Sequence, residues 1–154
     1  MKLNKIISRT LAVVLFLTAG SLSTAAEHIK TTADKSTTAK IKMTFDSGEV
    51  VISLINNPTA ADLLSLLPLT LSVSDFNNAE KIIMLPQTLA GAKSAVGYDS
   101  KVGDVALYAP WGNLAIFYRD ASYAAGLLYL GRVESGLDAL SKISNNAKIF
   151  IEQI

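Results

Sequence analysis

The sequence contains no cysteine and a single histidine among its 154 residues. Without cysteine, the chain can form no disulfide bond, thiolate metal site or thiol nucleophile. The one histidine, His28, lies in an N-terminal stretch rich in Thr, Ala and Lys, where a lone exposed imidazole supplies one metal ligand but not a site. The rest of the chain has no imidazole, which excludes Ser-His-Asp triads and histidine-based acid–base catalysis.

An excess of charge of one sign is also lacking, since 14 basic residues accompany 13 acidic ones. This balance does not indicate binding to nucleic acid or to an anionic membrane surface. No glycine-rich phosphate motif is present, and Asp99, Asp104 and Asp120 lack the spacing of a calcium loop. Nothing in the spacing of Glu80 and Glu134 indicates the carboxylate pair of a glycosidase. We therefore expect neither a metal nor a cofactor.

Residues 1–26 have the layout of a signal peptide. Three basic residues precede a short apolar core at 11–19, and small residues end at Ala26, where cleavage is expected. The apolar run is short for a membrane span, and a retained N-terminal anchor is the alternative. Cleavage would remove three basic and no acidic residues, leaving a net charge of −2. The sequence thus predicts export to the periplasm or the extracellular space, with no stable membrane span after cleavage.

Residues 27–39 lack apolar periodicity and are predicted to form a flexible spacer before one domain at 40–154. Within that domain, polar and apolar residues alternate over short segments, the period expected of β-strands. Seven or eight strands of this spacing suggest a closed barrel or a sandwich. The predicted strands are 40–45, 49–55, 69–73, 81–85, 105–109, 114–118, 127–130 and 148–154.

Two short helices are predicted between the strands. Asn57 can cap the first, which has helix-forming residues over 60–67. Ser135 can cap the second, where apolar residues recur at helical spacing over 137–143. Residues 87–101 are rich in Ala, Gly and Ser and are interpreted as a long surface loop.

The last segment, 148–154, alternates with Ile149 and Ile151 on one face. An apolar final strand left at the edge of a sheet would promote aggregation. We therefore expect it to pair with the first strand and to close a barrel.

Two apolar runs meet at a tight corner within 103–118. Between them lie Pro110, Trp111, Gly112 and Asn113, and Pro, Gly and Asn are residues that suit turns. The pattern predicts strand, turn and strand. Trp111 is the only tryptophan of the chain, and at the tip of a turn it either closes a barrel end or lines a groove.

Two segments resemble the cyclophilin fold. They read GDVALYAPWGNLAIFY at 103–118 and GLLYLGRVESGLDAL at 126–140. The closer resemblance is to the bacterial cyclophilin-like family, in which an Asn-Leu-Ala-Ile-Phe-Tyr strand follows a Pro-Trp-Gly corner; Glu80-Lys81-Ile82 and Leu85-Pro86 also resemble that family. The resemblance covers about 40–154. It implies a mainly β fold, a closed antiparallel barrel of about eight strands with two short helices.

The resemblance supports the fold more strongly than it supports proline-isomerase activity. The cyclophilin Phe-His-Arg strand corresponds to 81–85, which contains no Arg. The groove positions that hold Gln, His and Asn in isomerases correspond to Leu114, Leu127 and Ala109. An isomerase must stabilise a twisted amide with a hydrogen-bond donor, and Leu offers none. A non-catalytic binding module is therefore favoured, with a peptidyl-prolyl isomerase of exported proteins as the alternative.

The candidate ligand groove lies beside the Pro-Trp-Gly-Asn corner, with Trp111 as a stacking wall and Glu80 as a polar anchor. These residues also have structural alternatives. Asn113 can be a turn residue, Glu80 can be a solvated charge at a strand end, and Tyr108 and Tyr118 can be part of the sheet packing. The predicted groove residues are Glu80, Tyr108, Trp111, Asn113, Leu114, Tyr118 and Leu127. The sequence thus predicts an exported module that binds a peptide or a small apolar ligand.

Overall fold

The computed structural model describes residues 37–154. The expected signal peptide and His28 lie outside the described residues, as does most of the expected spacer. The strands are β1 (Thr37–Phe45), β2 (Gly48–Ile55), β3 (Leu69–Phe76), β4 (Glu80–Met84), β5 (Gly97–Tyr98), β6 (Asp104–Tyr108), β7 (Asn113–Phe117), β8 (Ala124–Ala125), β9 (Leu127–Ser135) and β10 (Lys148–Gln153). The α-helices are α1 (Pro58–Ser65) and α2 (Leu137–Ser141).

Eight of these strands form a closed antiparallel barrel in the order β1-β10-β3-β4-β7-β6-β9-β2. The predicted fold class, a mainly β barrel with two short helices, is therefore confirmed. The remaining two strands, β5 and β8, pair with each other in a small separate sheet. In the described part of the chain, no helix is long and apolar enough to cross a membrane.

The barrel interior is filled by the inward-facing residues of alternating strands. In β1, Ile41, Met43 and Phe45 are all buried, as the period-2 pattern predicts. The closing strand is also confirmed, because β10 pairs with β1 on one side and with β3 on the other. Ile149 and Ile151 point into the core and are fully buried.

The start of α1 follows the sequence prediction. Asn57 is the N-cap, and its side-chain oxygen accepts a hydrogen bond from the backbone N–H of Ala60 at 2.6 Å. Pro58 occupies the first turn, where a missing N–H has no cost. Leu63 is fully buried and anchors the helix in the barrel core.

The predicted cap of α2 is wrong. Ser135 is the last residue of β9, and Gly136 is the N-cap, with φ of 85° and no side-chain capping bond. A Cβ atom at Gly136 would lie 2.0 Å from the carbonyl oxygen of Glu49, so the chain turns where only glycine fits. The helix still buries Leu140, on its predicted apolar face.

Several boundaries differ from the sequence prediction, and β3 runs to Phe76 instead of ending at residue 73. The first strand begins at Thr37, and the strand expected at 127–130 continues to Ser135. The expected loop at 87–101 contains a short 3₁₀ helix, Ala92–Ser94, as well as β5. β5 pairs with β8, and Tyr98 and Ala124 of these strands pack against the outer-face cluster that contains Ala115 and Phe117.

Candidate functional site

The corner between β6 and β7 is a tight turn that presents Trp111 at its tip. Tyr108 pairs with Asn113 across the hairpin, and its carbonyl oxygen accepts hydrogen bonds from the N–H groups of Trp111 and Gly112. Gly112 has φ of 68°, a left-handed conformation that favours glycine. The predicted strand–turn–strand is therefore confirmed.

Trp111 lies at the rim of a cavity on the outside of the barrel. Its ring packs edge to face against Phe76, with centroids 5.4 Å apart, and against Tyr108 at 5.3 Å. A ring that closes a barrel end would be buried, whereas Trp111 is 49% exposed and lines the cavity. The geometry therefore favours the groove-wall interpretation of this residue.

The β3–β4 hairpin brings Phe76 to this wall. Asn77 and Asn78 both adopt positive φ in the turn, which Asn tolerates better than most residues. The turn pairs Phe76 with Glu80, and Glu80 in turn pairs with Phe117 on β7. Side chains at paired positions share one face of a sheet, so the three residues form one row along the cavity.

The cavity has a volume of about 370 Å³ and a mainly apolar wall with few polar groups. Such a size and composition lie within the range of small-ligand sites, which span roughly 300–1,000 Å³. The apolar wall includes Phe76, Tyr108, Trp111, Phe117, Ala121 and Leu127. The polar lining includes Glu80, Ser100, Asn113 and Asp120.

Glu80 is a carboxyl group held against apolar side chains. Burial raises the pKa of Glu80 to about 7, because the charged form loses solvation. Within residues 37–154, no hydrogen bond or ion pair joins its carboxyl group to another residue. Its environment therefore matches the interpretation of a polar anchor in the groove better than that of a solvated strand-end charge.

Asn113 is almost completely buried, with 1% of its surface exposed. Its Nδ2 donates a hydrogen bond to the carbonyl oxygen of Leu114 at 3.0 Å, which fixes the orientation of the amide. Its Oδ1 has no hydrogen-bond partner among the described residues. Buried polar atoms are nearly always paired, so an unpaired acceptor in a residue that lines a cavity is a candidate partner for a ligand donor.

The structure brings five of the seven predicted groove residues together around the cavity: Glu80, Tyr108, Trp111, Asn113 and Leu127. Leu114 instead points into the barrel core and is fully buried, because β7 places Asn113, Ala115 and Phe117 on its outer face. Every residue of β7 is buried, so its sequence shows no alternation from which the outer face can be identified.

Tyr118 lines a different cavity, of about 610 Å³, where Lys81 and Asp75 meet. The Lys81 ammonium lies 2.9 Å from Asp75 Oδ1 and donates to the carbonyl oxygen of Ile143 at 3.0 Å. The Tyr118 hydroxyl donates to the same Asp75 oxygen at 2.7 Å. Each of the three polar side chains is paired, which is typical of a structural network.

The pKa directions of Asp75 and Tyr118 agree with an ionised Asp75 carboxylate. Burial would raise the pKa of Asp75, but the hydrogen bond from Tyr118 and the Lys81 ammonium outweigh it and lower the value. Burial and the Asp75 hydrogen bond raise the pKa of Tyr118 to about 12, so the phenol remains a donor. Over residues 37–154, no group of three or more potential metal-ligating side chains converges.

Comparison with known proteins gives the fold and the family. The solution structure of a hypothetical protein from Archaeoglobus fulgidus superposes with a TM-score of 0.61 at 15% identity, covering 79% of this chain and 99% of that one. At this identity the likeness concerns the fold alone. None of the curated proteins matches the sequence. The model of the Cyclophilin-like family matches residues 43–152, so the chain belongs to the Cyclophilin-like family.

Proposed function

We propose that this domain is a non-catalytic binding module, exported from the cytoplasm, that holds a peptide or a small ligand in the Trp111 cavity. The observation that carries the proposal is the buried Oδ1 of Asn113, which has no partner among the described residues, in a residue that lines an aromatic-walled cavity. The rings supply apolar contact area, at about 25 cal/mol per Å² buried, and the polar groups orient the ligand.

The side chains around the cavity favour binding over proline isomerisation. Within the described chain, the cavity lining contains no Arg, Lys or His. A twisted amide needs a donor aimed at it, and the Asn113 Nδ2 is already engaged by Leu114. The isomerase remains the alternative function, since Tyr108 and Ser100 carry hydroxyl groups in the same lining.

Trp111 permits a direct test, because it is the only tryptophan and its fluorescence reports on this site alone. We expect a proline-containing tetrapeptide to change that fluorescence and to be released without accelerated isomerisation. Calorimetry should show that Trp111→Ala weakens binding at least about tenfold, or 1.4 kcal/mol. Phe150→Ala, which removes another partly exposed ring outside the cavity, is the matched control and should bind normally.

Two results would contradict this proposal. Clear isomerase turnover that is lost in Trp111→Ala would establish the alternative function. A Trp111→Ala chain that no longer unfolds cooperatively would assign the ring a structural role instead. Circular dichroism of the variant, recorded beside the binding measurement, separates these two results.

The proposal of export rests on the basic start and the short apolar core of residues 1–26. We expect N-terminal sequencing of the protein outside the cytoplasm to begin near Glu27. Intact Met1 in the membrane fraction would instead show that the segment is retained as an anchor.

A further inference from the structure

The Trp111 cavity has acidic groups in its lining and no basic group among the described residues. Glu80 and Asp120 supply the two carboxyl groups. Asp120 is already engaged, by the Lys101 ammonium at 3.2 Å and by the backbone N–H of Val102 at 2.9 Å. Glu80 is therefore the carboxyl group in this lining that is left to meet a ligand.

The nearest cation along the chain, Lys81, cannot neutralise Glu80. Successive residues of a strand point to opposite faces, and Lys81 lies on the inner face of β4, where Asp75 holds its ammonium group. An ionised Glu80 without a partner lowers stability, because a desolvated charge is costly unless it is paired. A cationic ligand would remove that cost.

Three rings that line the same cavity as Glu80 suit a cation as well. Phe76 and Tyr108 stand at 90° and 81° to the plane of Trp111, and all three rings line the cavity. The face of an aromatic ring attracts ammonium groups, by about 0.5–1 kcal/mol at exposed sites and more when they are desolvated. The buried Oδ1 of Asn113 adds an acceptor that can take an N–H or O–H donor.

We infer that the cavity recognises an organic ammonium ion, a protonated amine carried on an apolar body, with Glu80 as its counter-charge and the rings as its aromatic wall. This inference rests on the proposed function and specifies its ligand class. A free small amine and the lysine side chain of a peptide share this chemistry, and separate probes distinguish them.

Three probes of one shape test the charge requirement: 2-phenylethylammonium, neutral 2-phenylethanol and anionic 3-phenylpropanoate. At pH 8 a primary alkylamine is protonated, since such groups titrate near 10. Calorimetry should show the ammonium probe binding at least about tenfold more tightly than the alcohol, with the anion weakest.

N-acetyl-lysine methylamide tests whether the ammonium group comes from a peptide. Binding equal to or tighter than that of 2-phenylethylammonium assigns the site to peptides, and weaker binding assigns it to free amines.

Glu80→Gln should reduce the affinity for the ammonium probe about tenfold and leave that for the alcohol unchanged. Glu49→Gln, at an exposed position outside the cavity, is the matched control and should not change either affinity. Because burial raises the pKa of Glu80 to about 7, ammonium binding should weaken as the pH falls from 8 to 6, and Glu80→Gln should abolish that dependence.

The other titratable groups near Glu80 do not change charge in this pH window. A backbone hydrogen bond from Val102 and the Lys101 partner lower the pKa of Asp120, so it stays ionised. Burial raises the pKa of Tyr98, so its hydroxyl stays neutral. The residues paired with Glu80 on β3 and β7 are phenylalanines, Phe76 and Phe117, and carry no charge.

The outcomes separate the two proposals. Tighter binding of the ammonium probe that depends on Glu80 supports the inference. Equal or tighter binding of the alcohol or the anion overturns the ammonium class and leaves the binding cavity intact. If neither these probes nor the tetrapeptide binds, both proposals are overturned.

Discussion

Removal of the final strand, residues 148–154, should abolish cooperative folding. Ile149 and Ile151 are fully buried, and each large apolar side chain contributes about 1.5–3 kcal/mol. The deletion also exposes the edges of β1 and β3, which β10 joins. Since small domains are stable by only about 5–15 kcal/mol, we expect thermal unfolding followed by circular dichroism to show no cooperative transition.

A point substitution measures how much a buried side chain of β10 contributes to the free energy of unfolding without opening the barrel. Ile151→Ala should lower the free energy of unfolding by about 2–5 kcal/mol through the lost contacts and the cavity it leaves. Lys148→Ala, at an exposed position on the same strand, is the control and should change it by less than about 0.5 kcal/mol. A truncated chain that melts like the parent would show that β10 is a loose tail.

Lys81→Ala should be the most destabilising single change of a charged residue. Its side chain is 5% exposed, and its loss leaves the Asp75 carboxylate and the Ile143 carbonyl oxygen without their partner. Breaking a buried pair costs about 3–5 kcal/mol, and because Asp75 is 22% exposed, water recovers part of this. We expect chemical denaturation to show a loss of about 2–4 kcal/mol.

Lys101→Ala provides the matched control for this prediction. Its ion pair with Asp120 is exposed on both sides, and such pairs contribute about 0–1 kcal/mol. The Asp75 pair should also make the parent sensitive to acid. The pKa of Asp75 is lowered in the folded protein. Its carboxylate therefore adds to the free energy of unfolding above the ordinary aspartate pKa near 4, and this stabilisation is lost as the pH falls below that value. Equal stabilities of the two Lys variants would contradict the structural role of Lys81.

The barrel could be predicted because its strands carry local signals. The alternation at β1 and β10 identifies the buried faces directly, and the Pro-Trp-Gly-Asn corner identifies a hairpin. Closure followed from the apolar final strand, which needs a partner. The start of α2 was missed because Gly136 is required by a close approach to Glu49, and that contact is not visible in the local sequence.

The site could be predicted only in part, for two physical reasons. Leu114 is predicted in the groove because it matches the Gln position of isomerases, and every residue of β7 is buried, so the sequence does not show that Leu114 points inward. Phe76 was missed because β3 continues to it through a polar segment that resembles a turn. The register that sets Phe76, Glu80 and Phe117 in one row depends on pairing between distant strands.

The burial of Lys81 was also beyond the sequence pattern. A lysine at the start of an apolar run is ordinarily exposed, and only the fold brings Asp75 and the Ile143 carbonyl within reach of its ammonium group. The same strand thus carries two charged neighbours with opposite roles. Lys81 is satisfied inside the barrel, whereas Glu80 has no partner among residues 37–154 and lines the outer cavity.

The location of binding tests the central claim most directly. In a ¹H–¹⁵N correlation spectrum, the indole N–H of Trp111 gives a signal that no other residue can produce, because the chain has one tryptophan. On titration with 2-phenylethylammonium, we predict that this signal and the amides of Ala79, Ala121 and Ala124 shift together with one dissociation constant. Two results would contradict the account. One is the absence of a saturable shift, and the other is a set of shifts confined to the cavity where Lys81 and Asp75 meet, at Asn78, Ser141 and Asn145.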